Sequence, residues 1–337
     1  MSEHRNIDLR ASLERVRAGG IPLRAEERLA EEAGDNRRLF TSDLSVSEYL
    51  LARDARCEPI SQVMGSCIFH VGQIADYKGA TKEITTISDA HRESRQRALA
   101  RLQQEAALVR ADAVIGVHLK DRMITMGARG KGGDDGGEVL EFTVVGTAVR
   151  APFLVHPPGQ PIVTDLSGQD LWALAQDGWQ PCGFLFEFCR FHGWHVTAGS
   201  GGFGELDDAR TVVDRAREIA TSRMIEQAAR HGAEFVVGSD LQIKVKEVPC
   251  GFAKCTRDDL DVDISWFGTG IRRIGAASRV TADVPPLILS MMTVGRGRAD
   301  RDNKIGADED DADEVVLAAE EAEELALQAD EDAAGGD

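Results

Sequence analysis

The tetrapeptide Cys67-Ile68-Phe69-His70 returns as Cys189-Arg190-Phe191-His192, 122 positions later. The same shift carries Asp43-Leu44-Ser45 onto Asp165-Leu166-Ser167, Pro59 onto Pro181, Arg95 onto Arg217, Ala98 onto Ala220 and Arg101 onto Arg223. It also carries Ala106-Ala107 onto Ala228-Ala229, Ala111 onto Ala233, and Val114, Gly116 and Leu119 onto Val236, Gly238 and Leu241. Gly146-Thr147 and Arg150 fall on Gly268-Thr269 and Arg272. One unbroken offset over about a hundred residues is an internal repeat. It constrains the fold more than any other feature, because whatever one half folds into, the other half must fold into as well.

Each copy has the same order of patterns. Residues 61–70 and 183–192 are short, apolar and partly β-branched or aromatic, as a strand is. A polar, glycine-containing loop follows, and then a helix over 88–109 in the first copy and 207–231 in the second. Ala98, Leu102, Ala106 and Val109 share one helical face, and Ala216, Ala220, Met224 and Ala228 share the equivalent one. ADAVIGVHL and AEFVVGSDL begin a second strand; EFTVVGTAV and DISWFGTGI form a third, reached through long hairpin loops. The unit is β-α-β-β and the class α+β, by tandem duplication. A three-stranded sheet with a single helix leaves a bare face and free edges, so pairing with the sister domain or another subunit is expected.

Outside the repeats, residues 8–18 and 22–33 read as two short helices, with Gly19-Gly20 and Gly34 past their ends. The proline-rich segment 151–162 reads as a stiff spacer, and PPLILSMMTV as an extra strand after the second copy. The net charge of −18 is localised: fourteen acidic residues and no Lys or Arg lie between Asp308 and Asp337, so the rest of the chain carries only −4. Such a block reads as a disordered, solubilising tail or as an interaction tail for a basic partner. Within it, Val315, Ala319, Ala322, Leu325 and Ala329 are spaced for one marginal amphipathic helix. The nearly neutral body has no concentrated basic footprint, so nucleic acid is not an expected partner. Nor is a membrane, since no apolar run approaches the roughly 18 residues of a span and the charged start lacks the core of a signal peptide. Six cysteines without short paired spacings fit a reducing, cytoplasmic setting with free thiols.

Two readings compete at the repeated tetrapeptide. Thiolate and imidazole suit zinc and other soft divalent ions. Alternation along a strand, however, puts Cys67 and His70 on opposite faces, so the cysteine reads equally as a buried thiol packed beside Phe69. His70 and His192 lie at strand ends, where an oligomer would gather several copies. The second copy is richer in ligand types: Cys182, Cys189, His192 and His195, with Cys250 and Cys255 in a hairpin loop reading either as a Cys-x4-Cys clasp or as two loop cysteines. Gly199, Gly201 and Gly204 match the dinucleotide glycine pattern, but Glu205, Asp207 and Asp208 set negative charge where pyrophosphate would bind, which argues against that reading. Positions shared by the copies are mostly Ala, Gly, Val, Pro and Phe, the usage of packing rather than of catalysis. The shared arginines 95, 101, 217 and 223 read as solvated or as subunit contacts.

Ala216-Arg217-Glu218-Ile219-Ala220, Met224, Gln227-Ala228, Gly232-Ala233, Val236-Val237-Gly238 and Gly268-Thr269 resemble the signature of the YbjQ-like family of bacterial proteins. The first copy keeps Ala111 to Gly116 and Gly146 to Val149, with Arg110 where the family carries glycine. The resemblance covers a first repeat (41–150) and a second (163–272); the residues themselves add N-terminal helices (1–40), the linker (151–162), an extension (273–306) and the acidic tail (307–337). It implies a small α+β domain that assembles into pentameric rings, and a label of heavy-metal binding. The expected function is a non-enzymatic, cytoplasmic, ring-forming homo-oligomer with a soft divalent metal such as zinc as candidate cofactor. A structural scaffold without metal is the second reading, and an enzyme or small-ligand binder at domain junctions the third.

Overall fold

The computed structural model of the chain describes residues 2–32, 41–72, 79–125, 138–198, 207–250 and 257–274. The elements, in order, are α1 (Ser2–Arg17), α2 (Leu23–Glu32), α3 (Val46–Asp54), β1 (Glu58–Gly72), β2 (Lys82–Glu83), α4 (Thr85–Leu108), β3 (Ala113–Thr125) and β4 (Glu138–Arg150). They continue with β5 (Ile162–Val163), α5 (Gly168–Gln176), β6 (Trp179–Ala198), α6 (Asp207–Arg230), β7 (Phe235–Val248) and β8 (Arg257–Arg273). The class is α+β, with six helices and eight strands among the described residues.

The strands form two four-stranded sheets, ordered β1-β4-β3-β5 and β2-β6-β8-β7. The long strands of each sheet come from one repeat and pair antiparallel in equivalent register: Pro59 faces Val149 as Pro181 faces Ile271, and Val114 faces Ala148 as Val236 faces Gly270. Each sheet takes its short fourth strand from the other repeat. β5 adds parallel to β3, and β2 adds antiparallel to the end of β6.

Local chemistry repeats at the same spacing. Ser45 and Glu48 form a capping box at the start of α3, and Ser167 and Asp170 form one at α5. Thr147 and Thr269, both fully buried, accept the amides of Asp43 and Asp165 at 3.2 and 3.3 Å. This explains why Gly-Thr survives in both copies: the hydroxyl satisfies a buried backbone donor. Glu105 and Gln227 reach down from their helices to accept the amides of Met64 and Phe186, both at 2.9 Å. Left-handed backbone also recurs. Arg56 (φ 56°) matches Gly178 (φ 78°) after the α3 and α5 helices, and Arg110 (φ 54°) matches Gly232 (φ 67°) after α4 and α6.

The layering decides everything downstream. Ala98, Leu102 and Ala106 of α4 pack on Val63, Cys67, Phe142 and Val144 of the first sheet, in a core that also takes in Phe184, Phe186 and Phe188 of β6. Because side chains alternate along β6, Cys189 and Phe191 face the other way, into a core with Val212, Ala216 and Ala220 of α6. The order through the molecule is therefore first sheet, α4, second sheet, α6. Inside this stack, His91 lies flat on Phe188 with centroids 3.7 Å apart, and the Arg95 guanidinium sits 3.3 Å from the Phe186 ring centroid. Glu83 of β2 holds Arg223 of α6 by two bonds of 2.6 and 2.9 Å.

Several expectations change. Residues 151–162 are no free spacer: Ala151, Leu154 and Ile162 are buried, and Ile162 already belongs to β5. The capped helices α3 and α5, which pack together through Ala52 and Gly168, are additional to the β-α-β-β pattern. They are too short for a periodicity to stand out. Arg95 is neither solvated nor at a subunit surface but buried, with Asp121 3.2 Å from Nη2. The expected strand in PPLILSMMTV, the glycine-rich stretch 199–204 and the acidic tail lie outside the described residues. Among those described, no helix is long and apolar enough to cross a membrane.

Candidate functional site

The polar cluster sits at the far end of β6 and β8. Opposite Gly193 stands Leu260 and opposite Thr197 stands Asp258, so residues 194–196 crowd against the single Asp259 in a wide bulge. The bulge throws His195 into left-handed backbone (φ 54°), a conformation a non-glycine residue holds only where its surroundings fix it. Two interactions do so. The His195 amide donates to Asp259 Oδ1 at 2.8 Å, and the Trp194 ring stacks on the imidazole at 4.2 Å.

The bulge also brings His195 Nε2 to 3.2 Å from Cys250 Sγ, at the end of the β7–β8 hairpin. Ligand atoms of His195, Cys250 and Asp259 all lie within 4.8 Å of one another. Beside them His192 is completely buried, with Nδ1 2.7 Å from Asp261 Oδ1 and Nε2 3.6 Å from Asp259 Oδ2. Asp259 thus touches both histidines. Two largely buried carboxylates thus stand against two imidazoles, each holding a hydrogen bond from the bulge or its neighbour. Lys246 stands across the β7–β8 ladder from Asp261, and Lys244 from Asp263, adding positive charge at the rim.

The residues singled out in the sequence therefore separate. His192, His195 and Cys250 come together; Cys255 lies outside the described residues. Cys189 turns away to the α6 side of its strand, and burial, helped by nearby Glu83, pushes its thiol up to about 12. It lies in the core with Val212, Ala216 and Ala220, on the opposite side of β6 from His192. His70, the repeat equivalent of His192, lies exposed on the bare face of the first sheet, while Cys67 three residues earlier is buried as alternation requires. Asp259 and Asp261 are not among the residues that the sequence singles out. Their signal is in Asp259-Leu260-Asp261-Val262-Asp263-Ile264, where acids occupy one face of a strand whose other face is core.

The donor set of one imidazole, one sulfur and one carboxylate matches the ligand types of zinc. One feature qualifies the fit: Cys250 is disulfide-bonded, against the expectation of six free thiols. A disulfide sulfur is not a thiolate, so the set is complete only in the reduced chain.

A second group of features concerns surfaces. Met64 and Ile68 of β1 are 48% and 74% exposed, although they sit in the middle of a regular strand. Leu241, Ile243 and Val245 form a solvent-facing row on β7, an edge of the second sheet among the described residues. Such rows mark places where something else packs.

Residues 63–152 match the YbjQ_1 family, described as "putative heavy-metal-binding". The chain is 34% identical over 276 residues to the encapsulin nanocompartment protein Rv1762c of Mycobacterium tuberculosis, covering 79% of this chain and 96% of that one. No solved structure matches.

Proposed function

The chain belongs to the family of the encapsulin nanocompartment protein Rv1762c, and from that membership we propose that it is a non-enzymatic, self-assembling structural protein of the cytoplasm. Its role is to build, or to be held in, a protein compartment of the kind that relative is named for. The observation that carries the reading is the exposed apolar surface of regular strands, Met64 and Ile68 above all, which a folded chain stabilises only by covering. The resemblance to ring-forming domains sets the expected count at five chains, and the acidic tail is left to recruit a basic partner. Light scattering on the full chain at micromolar concentration tests the reading: a multiple of the single-chain mass is expected, and a monomer would overturn it.

A second reading rests on a separate observation, the convergence of His195, Cys250 and Asp259. On this reading the reduced chain binds one soft divalent cation such as zinc, and the oxidised chain does not. Elemental analysis of reduced protein prepared without chelator or added metal should find one equivalent, lost in Asp259→Ala. Absence of metal from the reduced wild type at micromolar zinc would remove it.

A further inference from the structure

Within the chain, α4 is covered twice. One face lies on its own sheet; the other, through His91 and Arg95, lies on Phe186 and Phe188 of the sister repeat's sheet. Helix α6 has the same length of 24 residues and the same place in its repeat, yet only its first face is covered. Val212, Ala216, Ala220 and Met224 are buried, whereas Arg217, the counterpart of Arg95, is exposed, and Ile225 is 63% exposed. The first sheet shows the complementary deficit. Met64 and Ser66 occupy the positions of Phe186 and Phe188, on the same face of an equivalent strand, and both are exposed. Among the described residues, one repeat thus lacks a helix over the outer face of its sheet, and the other lacks a sheet over the outer face of its helix.

We propose that a second copy of this chain supplies both: the outer face of α6 in one chain covers the open face of the first sheet in the next, repeating between chains the contact that α4 makes within one. This deepens the assembly reading and rests on it. Two features besides exposure point to a second copy rather than to an unrelated partner. The first is continuity: a helix of one repeat already lies on the sheet of the other once inside the molecule, on the equivalent face of an equivalent strand. The second is charge. Arg217 on α6 and Glu141, which stands opposite Ile68 on the open face of the first sheet, are both exposed and of opposite sign. When two chains meet in this way, Arg217 faces Glu141. The contact is heterologous, since α6 meets a sheet rather than another α6, so it extends head to tail and ends only by closing on itself.

The test uses two full-length variants, each with one face spoiled at exposed positions: Met64→Glu with Ile68→Glu on the sheet, and Arg217→Glu with Ile225→Glu on the helix. Circular dichroism should match the wild type, because no buried residue is changed. Light scattering should give the single-chain mass for each variant alone. An equimolar mixture should give a two-chain complex and nothing larger, because one intact helix face meets one intact sheet face. A wild type that assembles while both variants still assemble, or a mixture that stays at the single-chain mass, overturns the inference and leaves the assembly reading standing. A monomeric wild type overturns both.

Discussion

The two halves of the chain pair their long strands in equivalent register but do not share an environment. In the second, β6 is buried on both sides from Phe184 to Cys189, and in the first β1 alternates strictly, with Met64, Ser66 and Ile68 exposed between buried Val63, Gly65 and Cys67. Helix α4 buries Arg95 and Glu105 along with its apolar residues; α6 buries four side chains of one stripe. The difference teaches that the domain and its neighbours are encoded separately. Register, caps and the buried threonine are common to both copies because they build the unit. Phe186 and Phe188 against Met64 and Ser66 differ because they specify what each unit touches.

The largest test of this contrast removes equivalent side chains from the two sheets. Phe186→Ala should cost about 3–5 kcal/mol, because it empties the space between β6 and Arg95. Met64→Ala, measured by urea unfolding in the dilute dissociated chain, should cost less than about 1 kcal/mol. Equal losses would mean that the two faces are equally covered.

A second contrast lies in pH. Burial first, then the charges of Arg95, Arg190 and Lys244, hold the His91 imidazole well below its usual range. Asp121, 4.0 Å from Nδ1, is the facing acid. In the unfolded chain the ring takes up a proton near about 6.5, whereas in the folded chain it stays neutral, so the unfolded state binds more protons and stability falls as pH drops below that value. One such group gives a slope of up to about 1.4 kcal/mol per pH unit. His91→Phe should flatten the curve between about pH 6.5 and 5, while Val213, its counterpart, supplies no slope. An unchanged slope in the variant would refute the assignment.

Smaller effects are expected from the backbone. Arg110 holds the left-handed conformation that Gly232 adopts without a Cβ penalty. Arg110→Gly should raise stability by about 0.5–1 kcal/mol, relief of strain outweighing the greater freedom of the unfolded chain. Gly232→Arg should lower it by about 1–2 kcal/mol. Thermal unfolding of the pair decides, and a loss on Arg110→Gly would show that the arginine is held there by contacts worth more than the strain. Smallest of all, deletion of residues 308–337 should leave the unfolding midpoint and the assembled mass unchanged, since charge-rich, apolar-poor sequence contributes no core. A smaller assembled mass would assign the tail to an interface.

Much of this was visible in the sequence. The 122-residue offset gives two like units, and strand alternation places Cys67 inside and His70 outside without coordinates. The shared Gly-Thr pair marks a structural demand even before its amide partner is known. What could not be read was which face of each unit the other would cover. That depends on α4 lying between two sheets, and an arginine such as Arg95 looks solvated until a ring and a carboxylate are found around it. The candidate site was half legible for a similar reason. Histidine and cysteine announce themselves, whereas Asp259 becomes a partner of His195 only through a bulge that no local propensity foretells.

Gly65 carries one last consequence. A Cβ at this position would lie 1.9 Å from the Ala98 carbonyl oxygen, so α4 rests directly on the backbone of β1. The corresponding residue of the second repeat is Glu187, buried beneath α6 with its carboxyl pushed up by desolvation. A side chain at position 65 would therefore push α4 off its sheet, whereas a glycine at position 187 would leave a void under α6, so the two strands are not interchangeable beneath their present helices.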